Sequence, residues 1–243
     1  MPSLRLLLLS NSKNVGQGYL EHVEGHIKDF LGSSVKTVLF VPYAAVRISF
    51  DEFTAMVGKR LGEMGYAVAP IHRARSPKVA VKQAEAIVIG GGNTFQLLAT
   101  LHGKGLVEAI RARVRAGAPY IGWSAGANVA CPTMKTTNDM PIVEPASLKA
   151  AGLVRFQINP HYLDVHPQGH GGETREERIL EFIAANSGVH VVGLREGSIL
   201  RVEGRGIRLL GEKSARVFLK GRAPWEVGPK DDLSFLLKPA PRA

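Results

Sequence analysis

Short apolar runs alternate with longer amphipathic stretches over the first half of the chain. The runs are four to six residues long, as expected of strands buried on both faces of a parallel sheet: Leu4–Leu9, Thr37–Val41, Ala67–Ile71, Ala86–Ile89 and Pro119–Gly122. Between them, helical periodicity predicts helices around Tyr19–Leu31, Phe50–Met64, Thr94–Leu101 and Leu106–Ala116. This alternation predicts an α/β fold, a doubly wound, mainly parallel sheet with helices on both faces.

Residues typical of helix ends support these boundaries. Asp51 and Asn93 are the expected N-caps of the second and third helices. Gly65 and Gly117 stand just past the last periodic residues of two helices, where a glycine commonly ends a helix.

The pattern changes after about residue 190. Four strand-like runs follow, separated by turns that contain glycine: Val189–Leu194, Ile199–Val202, Ile207–Leu210 and Ala215–Lys220. They predict C-terminal antiparallel hairpins added to the edge of the sheet. No repeat, low-complexity tract or linker interrupts the sequence, so we expect residues 1–243 to form one α/β domain.

The composition excludes several classes of protein. Hydrophobic residues make up 45% and charged residues 21% of the 243, which is ordinary for a globular protein and excludes disordered or fibrous chains. Cys131 is the only cysteine, so no disulfide can form within the chain and a reducing compartment is expected. No apolar run approaches the ~18 residues of a membrane span. The opening run Leu4–Leu9 lacks the features of a signal peptide, so we expect a cytoplasmic protein.

The chain is basic, with 31 Lys and Arg against 21 Asp and Glu and a net charge of +10. Such a charge is compatible with nucleic acid, a membrane surface or an anionic substrate. The basic residues are scattered, however, and in the densest stretch, 201–242, they alternate with apolar residues and glycines. We therefore expect no nucleic-acid or membrane surface, and nothing in the sequence specifies an oligomeric state.

The strongest candidate for chemistry is Ser124. It lies in Gly122-Trp123-Ser124-Ala125-Gly126, directly after a predicted strand, and matches the G-x-S-x-G pattern of a nucleophile elbow. Small residues are needed there because the serine backbone is strained in a tight turn, which also directs the Ala125 N–H toward the serine. The alternative is a glycine-bracketed strand–helix junction without chemistry.

A glycine-rich loop, Gly90-Gly91-Gly92-Asn93, follows another predicted strand. Its backbone can approach a ligand closely and present N–H groups to it. One interpretation is half of an oxyanion hole, in which the Gly92 N–H acts beside that of Ala125. A phosphate cradle is less favoured, since neither G-x-G-x-x-G nor a P-loop lysine follows. A plain turn is the third possibility.

His161 is the candidate base. It follows Pro160, just after the strand-like residues 155–158, where a rigid strand end can expose it. A serine nucleophile also needs a carboxylate that orients the imidazole. Asp139, in a polar island, and Glu196, where a predicted strand ends, are both candidates, and either could be a mere turn residue.

A metal site is the competing interpretation of these histidines. His161, His166 and His170 are close in sequence, but Pro167 and Gly169 would break any helix that aligned them. No cysteine adds a ligand. We therefore expect no metal and no cofactor.

At these positions the chain resembles the peptidase E family of serine peptidases. The resemblance runs nearly end to end and is carried by blocks in a fixed order: Leu8–Ser12, Gly90–Leu98, Tyr120–Asn128, Thr136–Val143, Gln157–His161 and Gly172–Glu176. It implies a sheet similar to that of class I glutamine amidotransferases, with serine in place of their cysteine. It also implies metal-independent hydrolysis of dipeptides that begin with aspartate.

The resemblance implies roles for individual residues as well. Ser124 would be the nucleophile and form an acyl-enzyme, and His161 would be the base. The family's third catalytic member has been assigned to positions matching both Asp139 and Glu196, so that choice stays open.

Charge complementarity adds expectations about the substrate site. Arg175 is our candidate for the substrate's aspartyl carboxylate, since arginine offers a bidentate fork. The carboxylate that does not orient His161, whether Asp139 or Glu196, could bind the free ammonium group, and Asn93 is expected to contact the substrate. The alternatives are a same-fold hydrolase acting on isoaspartyl or other acidic amide bonds, and a binding module without catalysis.

Overall fold

The computed structural model describes residues 3–165, 169 and 171–240. Its central feature is a parallel sheet built from the five predicted strands: β1 (Arg5–Leu9), β2 (Thr37–Val41), β3 (Ala67–Pro70), β4 (Ala86–Ile89) and β5 (Tyr120–Trp123). These strands lie in the order β3-β2-β4-β5-β1 and all run parallel. The predicted fold class is confirmed.

Helices cover both faces of this sheet. One face packs against α1 (Glu24–Leu31) and α2 (Phe50–Glu63), and the other against α3 (Pro77–Gln83), α4 (Thr94–Gly103) and α5 (Val107–Arg115). Strand β1 shows why its apolar run is uninterrupted. Leu7 and Leu9 are buried with α1 and α2, whereas Leu6 and Leu8 are buried on the opposite face.

The C-terminal strands are divided between two sheets. The hairpin of β8 (Ile199–Glu203) and β9 (Gly206–Leu210) extends the main sheet, with β8 antiparallel to β1. A second sheet of order β11-β10-β7-β6 holds the other four strands: β6 (Gln157–Tyr162), β7 (Val191–Arg195), β10 (Ala215–Leu219) and β11 (Arg222–Val227).

This second sheet corrects the prediction that all the late strands join the edge of the main sheet. Strand β7 pairs with β6 in parallel, and α7 (Arg175–Ala185) makes the crossover between them. Strand β10 then adds antiparallel to β7. The apolar pattern identified β7 and β10 but missed β11, and it carried no information about which strands would pair.

Three of the four predicted helices begin and end within two residues of the predicted positions, whereas α3 and α7 (Arg175–Ala185) were not predicted. Asn93 caps α4, accepting a hydrogen bond from the Gln96 N–H at 3.0 Å. For α2 the cap is Ser49, in a reciprocal capping box with Glu52, rather than Asp51. The first helix begins at Glu24, later than predicted, after a 3₁₀ turn over Glu21–Val23.

The two sheets share one hydrophobic core, in which side chains such as Leu8 of β1 and Val192 of β7 belong to the same buried cluster. Because the carboxyl ends of β1, β4 and β5 meet at one edge, the loops that follow them converge there. Within the described part of the chain, no helix is long and apolar enough to cross a membrane.

Candidate active site

Ser124 occupies the tight turn between β5 and the short helix α6 (Ala125–Asn128). Its backbone has φ 53° and ψ −113°, a region that side-chain-bearing residues rarely adopt. The flanking glycines are required by packing. A Cβ on Gly122 would lie 2.3 Å from the Gly126 carbonyl oxygen, and one on Gly126 would lie 2.2 Å from the Ile89 carbonyl oxygen. The strand–turn–helix geometry predicted from G-x-S-x-G is therefore present.

His161 connects Ser124 to a carboxylate. Its Nε2 is 2.8 Å from Ser124 Oγ, and its Nδ1 is 2.7 Å from Glu196 Oε1. His161 lies within β6, where the pairing register with β7 shifts, rather than beyond the end of the strand as predicted. Glu196 directly follows β7. The side chains of three residues, carried by two different sheets, are thus joined by two consecutive hydrogen bonds.

Asp139 has different partners. Its Oδ2 accepts hydrogen bonds from the Thr94 N–H at 2.7 Å, the Thr94 hydroxyl at 2.5 Å and the Thr137 hydroxyl at 3.1 Å. These contacts hold Asp139 at the amino-terminal end of α4. Of the two candidate carboxylates, Glu196 contacts the imidazole and Asp139 does not.

Ser124, His161 and Asp139 line one cleft of about 730 Å³. The loop between β2 and α2 forms another part of its wall and contributes an exposed cation, Arg47. Sequence reasoning missed Arg47. Its position after a parallel strand could have indicated it, because ligand-binding loops follow the carboxyl ends of such strands.

The cleft also has an apolar part, which the sequence did not indicate either. It consists of Val46 and Ile48, which flank Arg47, together with Ile142. All three side chains are exposed, between 45% and 55%.

The glycine-rich loop passes directly beside Ser124. A Cβ on Gly91 would lie 3.0 Å from Ser124 Cβ, and one on Gly92, whose φ is 138°, would lie 2.2 Å from the Ala44 carbonyl oxygen. Within the described residues, the N–H groups of Gly92 and Ala125 donate to no acceptor. Gly92 lines the cleft, and Ala125, which is buried, directly follows Ser124 at the start of α6.

The predicted substrate-binding residues have different surroundings. Asn93 lines the cleft, but its side-chain oxygen caps α4 and its amide nitrogen donates to the Met140 carbonyl at 2.9 Å. Arg175 begins α7 and is not among the described residues that line the cleft.

Arg175 is nevertheless electrostatically distinctive. Burial of its guanidinium is the main cause that lowers its pKa, the charge of Arg178 adds to this effect, and Asp139 opposes it. Among the described residues, neither Arg175 nor Arg47 has an ion-pair partner.

No group of three or more metal-ligating side chains is assembled among the described residues. Two of the histidines weighed for a metal site, His166 and His170, lie outside them.

Comparison of the sequence with known proteins identifies the family of the chain. The model described as Peptidase family S51 matches residues 6–210. The chain belongs to peptidase family S51. Peptidase E of a Nostoc species is 50% identical over 238 residues, which cover 98% of each chain. The probable alpha-aspartyl dipeptidase of Drosophila melanogaster is 47% identical over 236 residues, covering 96% of this S51 chain and 97% of the fly protein.

Solved structures agree on the fold. The crystal structure of a peptidase from an acI-B1 actinobacterium superposes with a TM-score of 0.71 at 20% identity, covering 96% of this chain and 97% of that one. The predicted resemblance to the peptidase E family is confirmed, and this S51 member is a peptidase.

Proposed function

We propose that this S51 peptidase hydrolyses dipeptides whose first residue is aspartate, through an acyl-enzyme on Ser124. The observation that carries the proposal is the hydrogen-bonded chain from Glu196 through His161 to Ser124. The substrate class is supported by the fly relative, named a probable alpha-aspartyl dipeptidase.

The chemistry follows from these contacts. His161 Nε2 takes the Ser124 proton as Oγ attacks the peptide carbonyl carbon. Glu196 accepts the Nδ1–H, which fixes the tautomer and stabilises the imidazolium. His161 then gives the proton to the departing amine, leaving the acyl group as an ester on Oγ. Water, deprotonated by His161, attacks that ester and releases aspartate.

The negative oxygen formed at each attack needs donors. We assign that role to the N–H groups of Gly92 and Ala125, which have no acceptor among the described residues and lie on the two loops that meet at Ser124. The loss of one such donor typically lowers turnover by about 10²–10³.

Asp139 is our candidate for the substrate's ammonium group. Glu196 is already engaged with His161, whereas Asp139 faces the same cleft. All three hydrogen bonds that Asp139 accepts go to Oδ2, so Oδ1 accepts none from the described residues. That oxygen can receive a cation.

Arg175 is our candidate for the aspartyl carboxylate. Its guanidinium is partly buried without an ion-pair partner among the described residues, and it interacts with the charge of Asp139. Arg47 is the competing cation, because it lines the cleft directly. Asn93 acts mainly by holding the start of α4, since both ends of its amide are already used.

Four substrates test the proposal. We expect aspartate release from Asp-Leu and no hydrolysis of Asn-Leu or N-acetyl-Asp-Leu, which lack the side-chain carboxylate and the free ammonium group respectively. Cleavage of β-Asp-Leu in preference to Asp-Leu would favour the isoaspartyl alternative. If none of the four substrates is cleaved, the proposal is wrong.

The matched control is Ser124→Ala, which should abolish release while circular dichroism shows an unchanged fold. Near-normal turnover of this variant would exclude Ser124 as the nucleophile.

We further propose that the reaction needs no metal, because these residues supply base, acid and oxyanion donors. A chelator should therefore leave the rate of hydrolysis unchanged. The lone Cys131, with no possible disulfide partner in the chain, supports a cytoplasmic location.

A further inference from the structure

The segment Leu9–Asn11, which begins at the last residue of β1, contacts the backbone at or beside each proposed catalytic residue. The Leu9 carbonyl accepts a hydrogen bond from the Ser124 N–H at 3.1 Å. The Asn11 side-chain oxygen accepts one from the Gly197 N–H, next to Glu196, at 2.8 Å. Between them, Ser10 contacts His161.

Ser10 makes its contacts through a fully buried hydroxyl. Its Oγ accepts a hydrogen bond from the His161 N–H at 2.9 Å and donates one to the Leu194 carbonyl at 2.7 Å. His161 is on β6 and Leu194 on β7, both in the second sheet, whereas Ser10 continues a strand of the main sheet. One hydroxyl therefore joins the sheet that carries the base to the sheet that carries the nucleophile.

This contact occurs where the backbone is strained. His161 has φ 53°, in the left-handed region that a residue with a side chain occupies only when its surroundings enforce it. The hydrogen bond to Ser10 fixes the N–H of that residue and so the orientation of the peptide plane before it. An extended conformation would direct the imidazole elsewhere.

We propose that Ser10 is a positioning residue, whose hydroxyl holds His161 in the conformation that brings Nε2 to Ser124 and Nδ1 to Glu196. Ser10 is not among the described residues that line the cleft, so it acts through His161 and not on the substrate. The inference rests on the catalytic roles proposed above.

Ser10→Ala should lower kcat for Asp-Leu by about 10- to 100-fold and leave KM within about twofold, because the imidazole shifts while the cleft wall is intact. Two buried groups, the His161 N–H and the Leu194 carbonyl, also lose their partner, so the melting temperature should fall. Should Ser10→Ala not fold, Ser10→Cys keeps a weak donor and acceptor of similar size, and a smaller loss of kcat is expected.

Thr136→Val is the matched control. Thr136 is also buried, and its hydroxyl donates to the Ile158 carbonyl of the same strand β6 at 2.8 Å and accepts from the Asn128 amide at 3.3 Å, without contacting Ser124, His161 or Glu196. Removing that hydroxyl should lower the melting temperature as Ser10→Ala does, but kcat at a temperature well below unfolding should stay within about twofold of wild type.

A second measurement does not depend on activity. In protein labelled with ¹⁵N-histidine, the Nδ1–H of His161 bonded to Glu196 should give a downfield proton resonance, assigned by its loss in His161→Gln. We expect Ser10→Ala to lose or strongly shift this resonance and Thr136→Val to keep it.

The two proposals fail separately. If wild type does not cleave Asp-Leu but the resonance depends on Ser10, the proposed function is wrong and the positioning role stands. If Ser10→Ala keeps both the resonance and a kcat within about twofold of wild type while its melting temperature falls, Ser10 is only structural and the inference is overturned.

Discussion

Ser124 and His161 both have φ 53°, so the two groups that share a proton are both held in strained backbone conformations. Each is fixed by a hydrogen bond from its own N–H, Ser124 to the Leu9 carbonyl and His161 to the Ser10 hydroxyl. Such strain persists only where neighbouring structure enforces it, and it commonly marks a functional site. Here two consecutive residues, Leu9 and Ser10, hold both conformations.

The two carboxylates should give opposite kinetic signatures when neutralised. Glu196→Gln should lower kcat by about 10²–10⁴ with little change in KM, because the imidazole loses the charge that orients it and stabilises its protonated form. Asp139→Asn should mainly raise KM, since it removes the proposed partner of the substrate ammonium. Steady-state kinetics with Asp-Leu check both, and an exchange of the two signatures would reverse the assignments.

The two arginines form a second matched pair. Arg175→Gln should raise KM for Asp-Leu by about 10- to 100-fold, because charge-assisted pairing with the aspartyl carboxylate is lost. Arg47→Gln should change KM by less than about threefold. The larger effect in Arg47→Gln would assign the aspartyl carboxylate to the exposed arginine of the cleft wall instead.

At the scale of elements, the five parallel strands were predictable because each is apolar on both faces. The second sheet was not predictable from the sequence. The run Val191–Leu194 is fully buried, as in a parallel strand, but its neighbour is set by the α7 crossover and not by its own residues. The sequence pattern marks a buried strand without specifying the sheet to which it belongs.

The same limitation explains the open choice between carboxylates. Asp139 and Glu196 both stand in turn-like sequence, and each could have reached His161. The parallel register of β6 and β7, with Tyr162 opposite Arg195, brings the end of β7 to the imidazole. That register depends on pairing between segments distant in the chain, which no local pattern encodes.

The end of β7 is also held by an ion-pair network in which Arg195 binds Asp164 and Glu226. The hydrogen bond from Arg195 is the main cause that lowers the pKa of Glu226 from 4.5 to about 2. Above pH 4.5 the contribution of Glu226 to stability is fully present. It is lost as the pH falls toward 2, because the unfolded chain takes up the proton first.

Glu226→Gln should therefore make the free energy of unfolding fall less steeply between pH 4.5 and pH 2 than in wild type. Urea unfolding at several pH values in this window measures the slope. Glu181→Gln, an exposed position on α7 outside the network, controls for the removal of one negative charge. An unchanged slope in Glu226→Gln would contradict the expected coupling to Arg195.

At the scale of the whole molecule, the two tryptophans report on different sheets. Trp123 is in β5 of the main sheet and Trp225 in β11 of the second sheet. Because both sheets contribute to one buried cluster, we expect them to unfold together. In Trp123→Phe and in Trp225→Phe, the remaining fluorescence transition in urea should coincide with that variant's circular dichroism transition.

Separate transitions in either variant would show that the sheets unfold independently. The prediction of one domain over residues 1–243 would then be wrong.

The position of β1 inside the main sheet determines when during synthesis that sheet can be completed. This strand is made early, yet one of its edges is filled by β8 only after residues 199–203 have been synthesised. Ser124 likewise precedes both His161 and Glu196 in the order of translation. In the proposed mechanism the nucleophile is therefore synthesised before its base and the orienting carboxylate, and hydrolytic competence arrives only when most of the polypeptide has been made.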